Sequence, residues 1–427
     1  MARAPVIAPQ PWMTAPATRA VMAALAPGGE ARFVGGSVRD ALAGRARIGD
    51  VDIATVAAPE RVMELLAAAK IRAIPTGIEH GTVTAVAGDA HFEITTLRRD
   101  VRTFGRHAEV AFTDDWREDA ARRDFTINAM SLSEPGELFD YFGGRADLAA
   151  GRVRFVGDAA ERVREDVLRI LRFFRFHAHY GKGAPDAAAL AAVSAAAHLL
   201  PGLSGERVWA ELSRILDAAD PAAAFALMEG AGVLARVLPD YRAGGAGVAR
   251  LAALAEIEEA EGLAGSPDVL RRLAAVLAEG QSAAGATAER LRMSRAERLR
   301  LVRLTGRDAI VAADCGAGEA RRLIYRLGQA EFRDRVLLSW AQEQAEGRDT
   351  HSRRAAAIAC GALLEIARTF TPPAFPLSGA DAENCGIRPG PAMGRALGAV
   401  EAWWIAGDFR AGRDELLARL KAEAAGQ

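Results

Sequence analysis

The stretch from Arg32 to Thr55, RFVGGSVRDALAGRARIGDVDIAT, constrains the fold more tightly than any other part of the chain. It reads as strand, tight glycine turn, short helix, loop and strand. Arg32 to Val34 run into Gly35-Gly36, where the missing Cβ allows a sharp turn and a close approach to a ligand. Ser37 is the expected N-cap of a helix carrying Val38, Arg39, Ala41 and Leu42. A helix start after two glycines offers unpaired N–H groups to an anion, and Arg39 adds a guanidinium beside them. The chain returns through Asp50-Val51-Asp52-Ile53-Ala54. Strand residues two apart share a face, so Asp50 and Asp52 are expected to project together while Val51 and Ile53 face the other way.

Two neighbouring carboxylates repel unless protons or cations neutralise them. Beside an anion cradle the fitting cation is Mg²⁺, which takes carboxylate and phosphate oxygens together. The layout is that of a two-metal nucleotidyl-transfer site. Either half alone has a plain reading, a common turn or a solvated strand end. Their order and spacing suggest a polymerase-β-like core.

At 427 residues the chain is too long for one ordinary core. Half of it is hydrophobic and its net charge is −1, so no global basic excess announces a polyanion partner. Nearly all basic residues are arginine, Lys70, Lys182 and Lys421 being the only lysines, which is a compositional bias and not evidence for phosphate binding. Cys315, Cys360 and Cys385 form neither a metal-spacing motif nor a disulfide framework, and the N-terminus lacks a basic-then-apolar signal pattern. A cytoplasmic location without membrane spans is expected.

Residues 1–18 read as a loose arm, and Arg19 to Leu25 as a short helix. Pro59 to Lys70 has helical spacing. Ile71 to Ile74, Thr82 to Ala87 and His91 to Thr96 read as strands, giving about five in a small mixed sheet with helices on one side. Glu93 is either a third carboxylate beside the aspartates or an ordinary solvated glutamate. Arg98 to Trp116 reads as a mobile loop, with His107 more readily a surface histidine than a ligand. Arg122-Arg123-Asp124 opens a buried segment from which an arginine can reach a phosphate. Val153 to Val156 reads as a further strand.

From Asp158 the sequence becomes almost continuously helical. In EDVLRILRFFRF, residues 165–176, Asp166, Arg169, Arg172 and Arg175 recur every three residues between apolar positions, a slowly winding charged stripe on one helix. Asp166 and Arg169 can present an acceptor and donors to a base edge, and Arg172 and Arg175 can pair with phosphates. Gly205 to Leu216 and the Ala/Leu-rich segments beyond it read as amphipathic helices with solvent-facing charges. Thr371 to Pro376 is the clearest linker, and the glycine-rich turn at 386–390 starts a late helix. Trp403 and Trp404 read as packing residues before base-stacking ones.

Four blocks in order, VGGSVRD (34–40), DVD (50–52), RRDFTINAM (122–130) and EDVLRILRFFRF (165–176), resemble the class II tRNA nucleotidyltransferases (CCA-adding enzymes) and bacterial poly(A) polymerases. The resemblance is strong over about residues 30–215. It implies an α+β fold: a loose arm at 1–18, a polymerase-β-like head at 19–157, and then an all-α neck (158–217), body (218–370) and tRNA-binding tail (371–427). It implies that Asp50 and Asp52, with Glu93 as a third candidate, hold Mg²⁺. Gly35, Gly36, Arg39 and Arg123 then contact the triphosphate. Asp166 and Arg169 read the base of CTP or ATP, and Arg172 and Arg175 add nucleotide contacts. The implied partners are tRNA, CTP and ATP. The stretch Pro75 to Val86 looks like the CCA branch and not the poly(A) branch, and the 98–116 stretch resembles the flexible loop of enzymes competent for adding A. A poly(A) polymerase, a CC-only or A-only enzyme, and a non-catalytic tRNA-binding relative are the alternatives.

Overall fold

The computed structural model describes residues 6–425 except 47, 105–106, 263–266, 307–310, 313 and 348, and the side chains of 100–109 and 425 lie outside the description. The chain divides into two compact units, Met1–Pro239 and Asp240–Gln427.

The first unit opens with helices α1 (Pro11–Thr14) and α2 (Pro16–Leu25), so the described part of the expected loose arm is folded. Its anchors are apolar: Met13 is buried and the Trp12 ring meets Phe33 edge-on at 4.9 Å. Then come β1 (Ala31–Val34), α3 (Gly36–Leu42), β2 (Val51–Thr55), α4 (Pro59–Ala68), β3 (Arg72–Gly77), β4 (Thr82–Ala87) and β5 (Ala90–Thr96). A hairpin, β6 (Arg98–Phe104) and β7 (His107–Phe112), replaces the expected loop. The side chain of His107 is outside the described residues. After α5 (Trp116–Ala121) the buried segment yields two short strands that sequence reading missed, β8 (Met130–Leu132) and β9 (Leu138–Asp140).

The sheet has seven strands in the order β3-β4-β5-β2-β1-β8-β9. Only β2 and β5 run parallel, and this pairing sets Asp52 beside Glu93. On the other side β1 runs antiparallel to β2 and sets Val34 beside Asp52. The glycine turn after Val34 therefore lies at the same end of the sheet as the carboxylate. Val153 to Val156 is not a strand; it contributes a single bridge, Phe155 to Phe125, with Phe155 stacked on Phe173 and Phe125 meeting Phe176 edge-on.

Helices α6 (Gly144–Ala150), α7 (Ala159–Glu165), α8 (Arg169–Tyr180), α9 (Ala187–Ala195), α10 (Gly205–Leu216), α11 (Pro221–Gly230) and α12 (Leu234–Val237) complete this unit. The charged stripe of 165–176 is not one helix. Asp166 is extended (φ −146°, ψ 108°), and its carboxylate accepts the Leu168 N–H at 3.1 Å. Such a local acceptor competes with the helical bond and breaks the helix there.

The second unit is helical, as the sequence pattern predicts, but its charges are not all solvent-facing. Arg271, Arg272, Glu258 and Asp334 are buried together, with Arg271 donating to Glu258 at 2.5 Å and to Asp334 at 2.7 Å. The 371–376 stretch is irregular, and Phe375 within it packs on the core of the last helices. Trp404 belongs to that core, its indole N–H donating to the Ala411 carbonyl at 3.2 Å. No helix among the described residues is long and apolar enough to cross a membrane.

Candidate functional site

The site begins at the glycine turn. Gly35 has φ 72° and ψ −133°, a conformation that L side chains avoid, and it caps α3, which starts at Gly36. Ser37 is therefore not the N-cap. It lies inside the first turn, buried, with its hydroxyl donating to the Val34 carbonyl at 3.2 Å. A Cβ at Gly35 would stand 3.2 Å from the Asp52 carboxylate and 3.7 Å from the Arg123 guanidinium. One glycine thus separates a carboxylate from a cation.

Asp52 sits on β2, whereas Asp50 precedes the strand and is exposed. Burial pushes the Asp52 carboxyl up to about 6, with Glu93 and Asp50 adding repulsion and Arg123 only partly offsetting it. Burial and the acidic neighbours both disfavour its ionised form, and a bound cation would favour that form. Hard carboxylate oxygens suit a divalent ion such as Mg²⁺, so the residues fit that group. Among the described residues no three His, Cys, Asp or Glu side chains already enclose a metal position.

Arg123 is held by a buried residue that sequence reading did not single out. Asp119 accepts from Arg122 Nε at 2.8 Å and from Arg123 Nη2 at 3.2 Å. Burial works against its charge, but the two guanidinium groups win and hold the carboxyl below its ordinary range. Arg39 is similarly placed: Nη2 lies 2.9 Å from Asp40, and Nη1 donates to Asn128 at 2.7 Å. Asn128 in turn donates to Asp124 at 3.0 Å, and Asp124 accepts from Arg172 Nε at 2.6 Å. Burial opposes the Asp124 charge, yet Arg172, Asn128 and the Phe125 N–H keep its carboxyl low.

The remaining arginines come from α8 and α10. Arg169 donates to Glu165 at 2.5 Å and to the Arg162 carbonyl at 2.9 Å. Arg175 donates to buried Glu211 at 3.2 Å, and burial lowers its pKa to about 10, which leaves it charged at neutral pH. Asp166, off the helix, accepts Arg207 Nη2 on both oxygens, at 3.0 and 2.8 Å.

These groups line one cleft of about 620 Å³, which gathers Gly35, Gly36, Arg39, Asp52, Arg123, Asp166, Arg169, Arg172 and Arg175. Asp50 and Glu93 are not among its walls but act on Asp52 electrostatically. Asp124, Asn128, Phe176, Arg207 and Arg214 line it too, and sequence reading missed their part. Their signal is long-range. Arg207 meets its partner across 41 positions and Asn128 meets Arg39 across 89, which no local pattern encodes. Seven arginines facing three aspartates, at the end of a sheet that carries a carboxylate beside a glycine turn, suit a polyphosphate and its counter-ions.

Fold and cleft together define a nucleotidyltransferase with a mixed-sheet head and a helical remainder. Residues 31–154 match the Poly A polymerase head domain, and residues 185–243 match a domain described as "Probable RNA and SrmB- binding site of polymerase A". The mouse (Mus musculus) mitochondrial CCA tRNA nucleotidyltransferase 1 is 37% identical over 406 residues, covering 92% of this chain and 86% of its own. The CCA-adding enzyme of Bacillus cytotoxicus is 41% identical over 191 residues, 44% of this chain and 47% of its own. The solved Bacillus stearothermophilus CCA-adding enzyme in complex with CTP superposes with a TM-score of 0.69 at 25% identity, covering 95% of this chain and 96% of that one. The chain belongs to the CCA-adding tRNA nucleotidyltransferase family.

Proposed function

We propose that this protein adds C, C and A to the 3′ end of tRNA from CTP and ATP, releasing pyrophosphate at each addition. The family match over 92% of the chain supports the reaction class. The observation that carries the chemistry is the placement of Asp52 opposite Glu93 on neighbouring strands, beside Gly35 and within a ring of guanidinium groups.

In each cycle the tRNA 3′-oxygen bonds to the α-phosphorus of the nucleotide. The bond to the β-phosphate oxygen breaks, pyrophosphate departs, and the hydroxyl proton passes to solvent. Asp50 and Asp52, with Glu93 on the neighbouring strand, would hold Mg²⁺, which when bound supplies Lewis-acid stabilisation of charge on the attacking and leaving oxygens. Gly35 and Gly36 let the backbone approach the triphosphate. Arg39, Arg123, Arg172 and Arg175 offset its charge. Asp166 and Arg169 select the base, with Arg207 setting the direction of the Asp166 carboxylate. Residues 371–427 serve as the tRNA-binding tail. Three free cysteines suit a reducing compartment such as the cytoplasm.

The test is one incubation of the protein with tRNA lacking its 3′ end, Mg²⁺ and each nucleotide in turn. Addition of two C and one A followed by a stop is expected. Long A tails on unstructured RNA would support a poly(A) polymerase instead, and a product ending at CC or needing a preformed CC would mark a partial enzyme. Asp52→Ala is expected to lose incorporation while keeping tRNA binding.

A further inference from the structure

The nucleotide cleft is not closed at its far end. Arg39, Arg175, Phe176 and Arg214 also line a second chamber of about 270 Å³, which continues along α8 to Arg45 and Tyr180. Arg45, His179 and Tyr180 in turn line a third chamber of about 460 Å³, whose other walls include Arg145 and Lys182. Shared lining residues set the three side by side, as a trough leading away from the glycine turn.

The charge along this trough changes character. Within the cleft Arg39, Arg123, Arg169, Arg172, Arg175 and Arg207 each have a carboxylate partner. Arg214, on the wall that the cleft shares with the second chamber, and beyond it Arg45, Arg145 and Lys182, make no ion pair among the described residues. Among the described residues, Asp217 is the only carboxylate lining either outer chamber. Asp40 lies close by, but Arg39 and the Tyr180 hydroxyl, which donates to it at 2.5 Å, already occupy it. Arg45 stacks on the Tyr180 ring at 4.5 Å and donates to the His179 carbonyl at 3.0 Å, which fixes its position without cancelling its charge. Lys182 reaches only the Ala149 carbonyl, at 3.4 Å. A small anion moving outward thus leaves guanidinium groups that already have partners and meets cations that have none. Chambers of a few hundred cubic ångströms hold one such anion and are too small for a nucleic-acid duplex.

We propose that this trough binds the pyrophosphate leaving group and conducts it away from the cleft, with Arg45, Arg145 and Lys182 as its outer binding site. The proposal rests on the nucleotidyl-transfer reading above. It also gives three exposed basic residues, remote from the sheet edge, a role in product release.

The test compares the wild type with Arg45→Ala/Lys182→Ala and with the triple variant that adds Arg145→Ala. All three positions are exposed, so the fold survives; melting curves check this. The readouts are pyrophosphate inhibition of CTP incorporation, the rate of the reverse reaction with pyrophosphate, and KM for CTP and tRNA. Each lost charge is expected to raise the pyrophosphate inhibition constant about fivefold, the scale of an exposed ion pair. KM for CTP and tRNA should stay within about twofold. An unchanged inhibition constant overturns the proposal. So does a raised KM for tRNA with pyrophosphate inhibition intact, which would make the trough a track for RNA phosphates. A wild type that incorporates no CTP refutes the parent reading, and the two failures are thereby told apart.

Discussion

Gly35→Ala tests whether the glycine turn is a geometric necessity. At φ 72° and ψ −133° an alanine occupies a region that costs roughly 1–3 kcal/mol. Its Cβ would also stand 3.2 Å from the Asp52 carboxylate oxygen, closer than ordinary van der Waals contact, so that oxygen must shift by a few tenths of an ångström. The alternative is a shift of the turn that carries α3. Gly36 is the internal control: its φ is unstrained and a Cβ there meets only Arg39 Nη2, at 3.5 Å. Gly35→Ala is expected to lose about 2 kcal/mol in urea unfolding of this unit. Single-turnover CTP incorporation should fall between about tenfold and a hundredfold, the range a sub-ångström to one-ångström misplacement produces. Gly36→Ala should stay within about 0.5 kcal/mol of wild type in the same unfolding assay. The reasoning is refuted if the two variants behave alike, or if Gly35→Ala incorporates CTP at the wild-type rate.

Asp119→Asn removes the charged anchor of Arg122 and Arg123. A stability loss of about 2 kcal/mol in denaturant titration is expected, with KM for CTP about tenfold higher as Arg123 loosens. Asp124 has a carboxyl held below the ordinary 3.8, so its ionisation stabilises the fold at neutral pH, and that contribution is lost as pH falls through and below this range. Urea midpoints measured from about pH 7 down to about pH 3 should drop less steeply for Asp124→Asn than for wild type, from a lower starting stability. Arg207→Ala frees Asp166 and should reduce discrimination of CTP and ATP against UTP and GTP about tenfold, the cost of one mis-set hydrogen bond. Arg207→Lys should restore part of it, and unchanged selectivity in both variants would remove Arg207 from base choice.

How much of this was legible in the sequence depends on the range of each interaction. The β1–α3–β2 turn could be read because its determinants are local: two adjacent glycines, alternating apolar residues and a short helix between them. The helix over 59–68 and the strands at 82–87 and 90–96 were equally open to reading. The 98–112 hairpin was not, because its polar alternation carries little hydrophobic signal and reads as a loop. Strands β8 and β9 are three residues each, too short for any period to show. The break at Asp166 was hidden by a good helical pattern on both sides, and only the local bond to Leu168 N–H shows why the helix stops.

The same distinction explains why the arginines were easier to find than their roles. A row at spacing three announces cations, but their partners are scattered. Asp124 lies 48 positions before Arg172, and Glu211 lies 36 after Arg175. Those carboxylates do more than balance charge. An unpartnered guanidinium row in one cleft would repel itself and splay toward solvent. Each buried acid fixes one arginine by direct hydrogen bonds while other N–H groups of the same planar fork remain for a ligand. The cleft's walls are therefore oriented in advance, and in the proposed nucleotide role less ordering entropy would be spent on binding. Asp52 differs from these acids, for burial and its acidic neighbours push its carboxyl up while theirs are held by arginines. The arginine-bound acids hold the walls, and under the proposed reaction Asp52 is where a metal ion would sit.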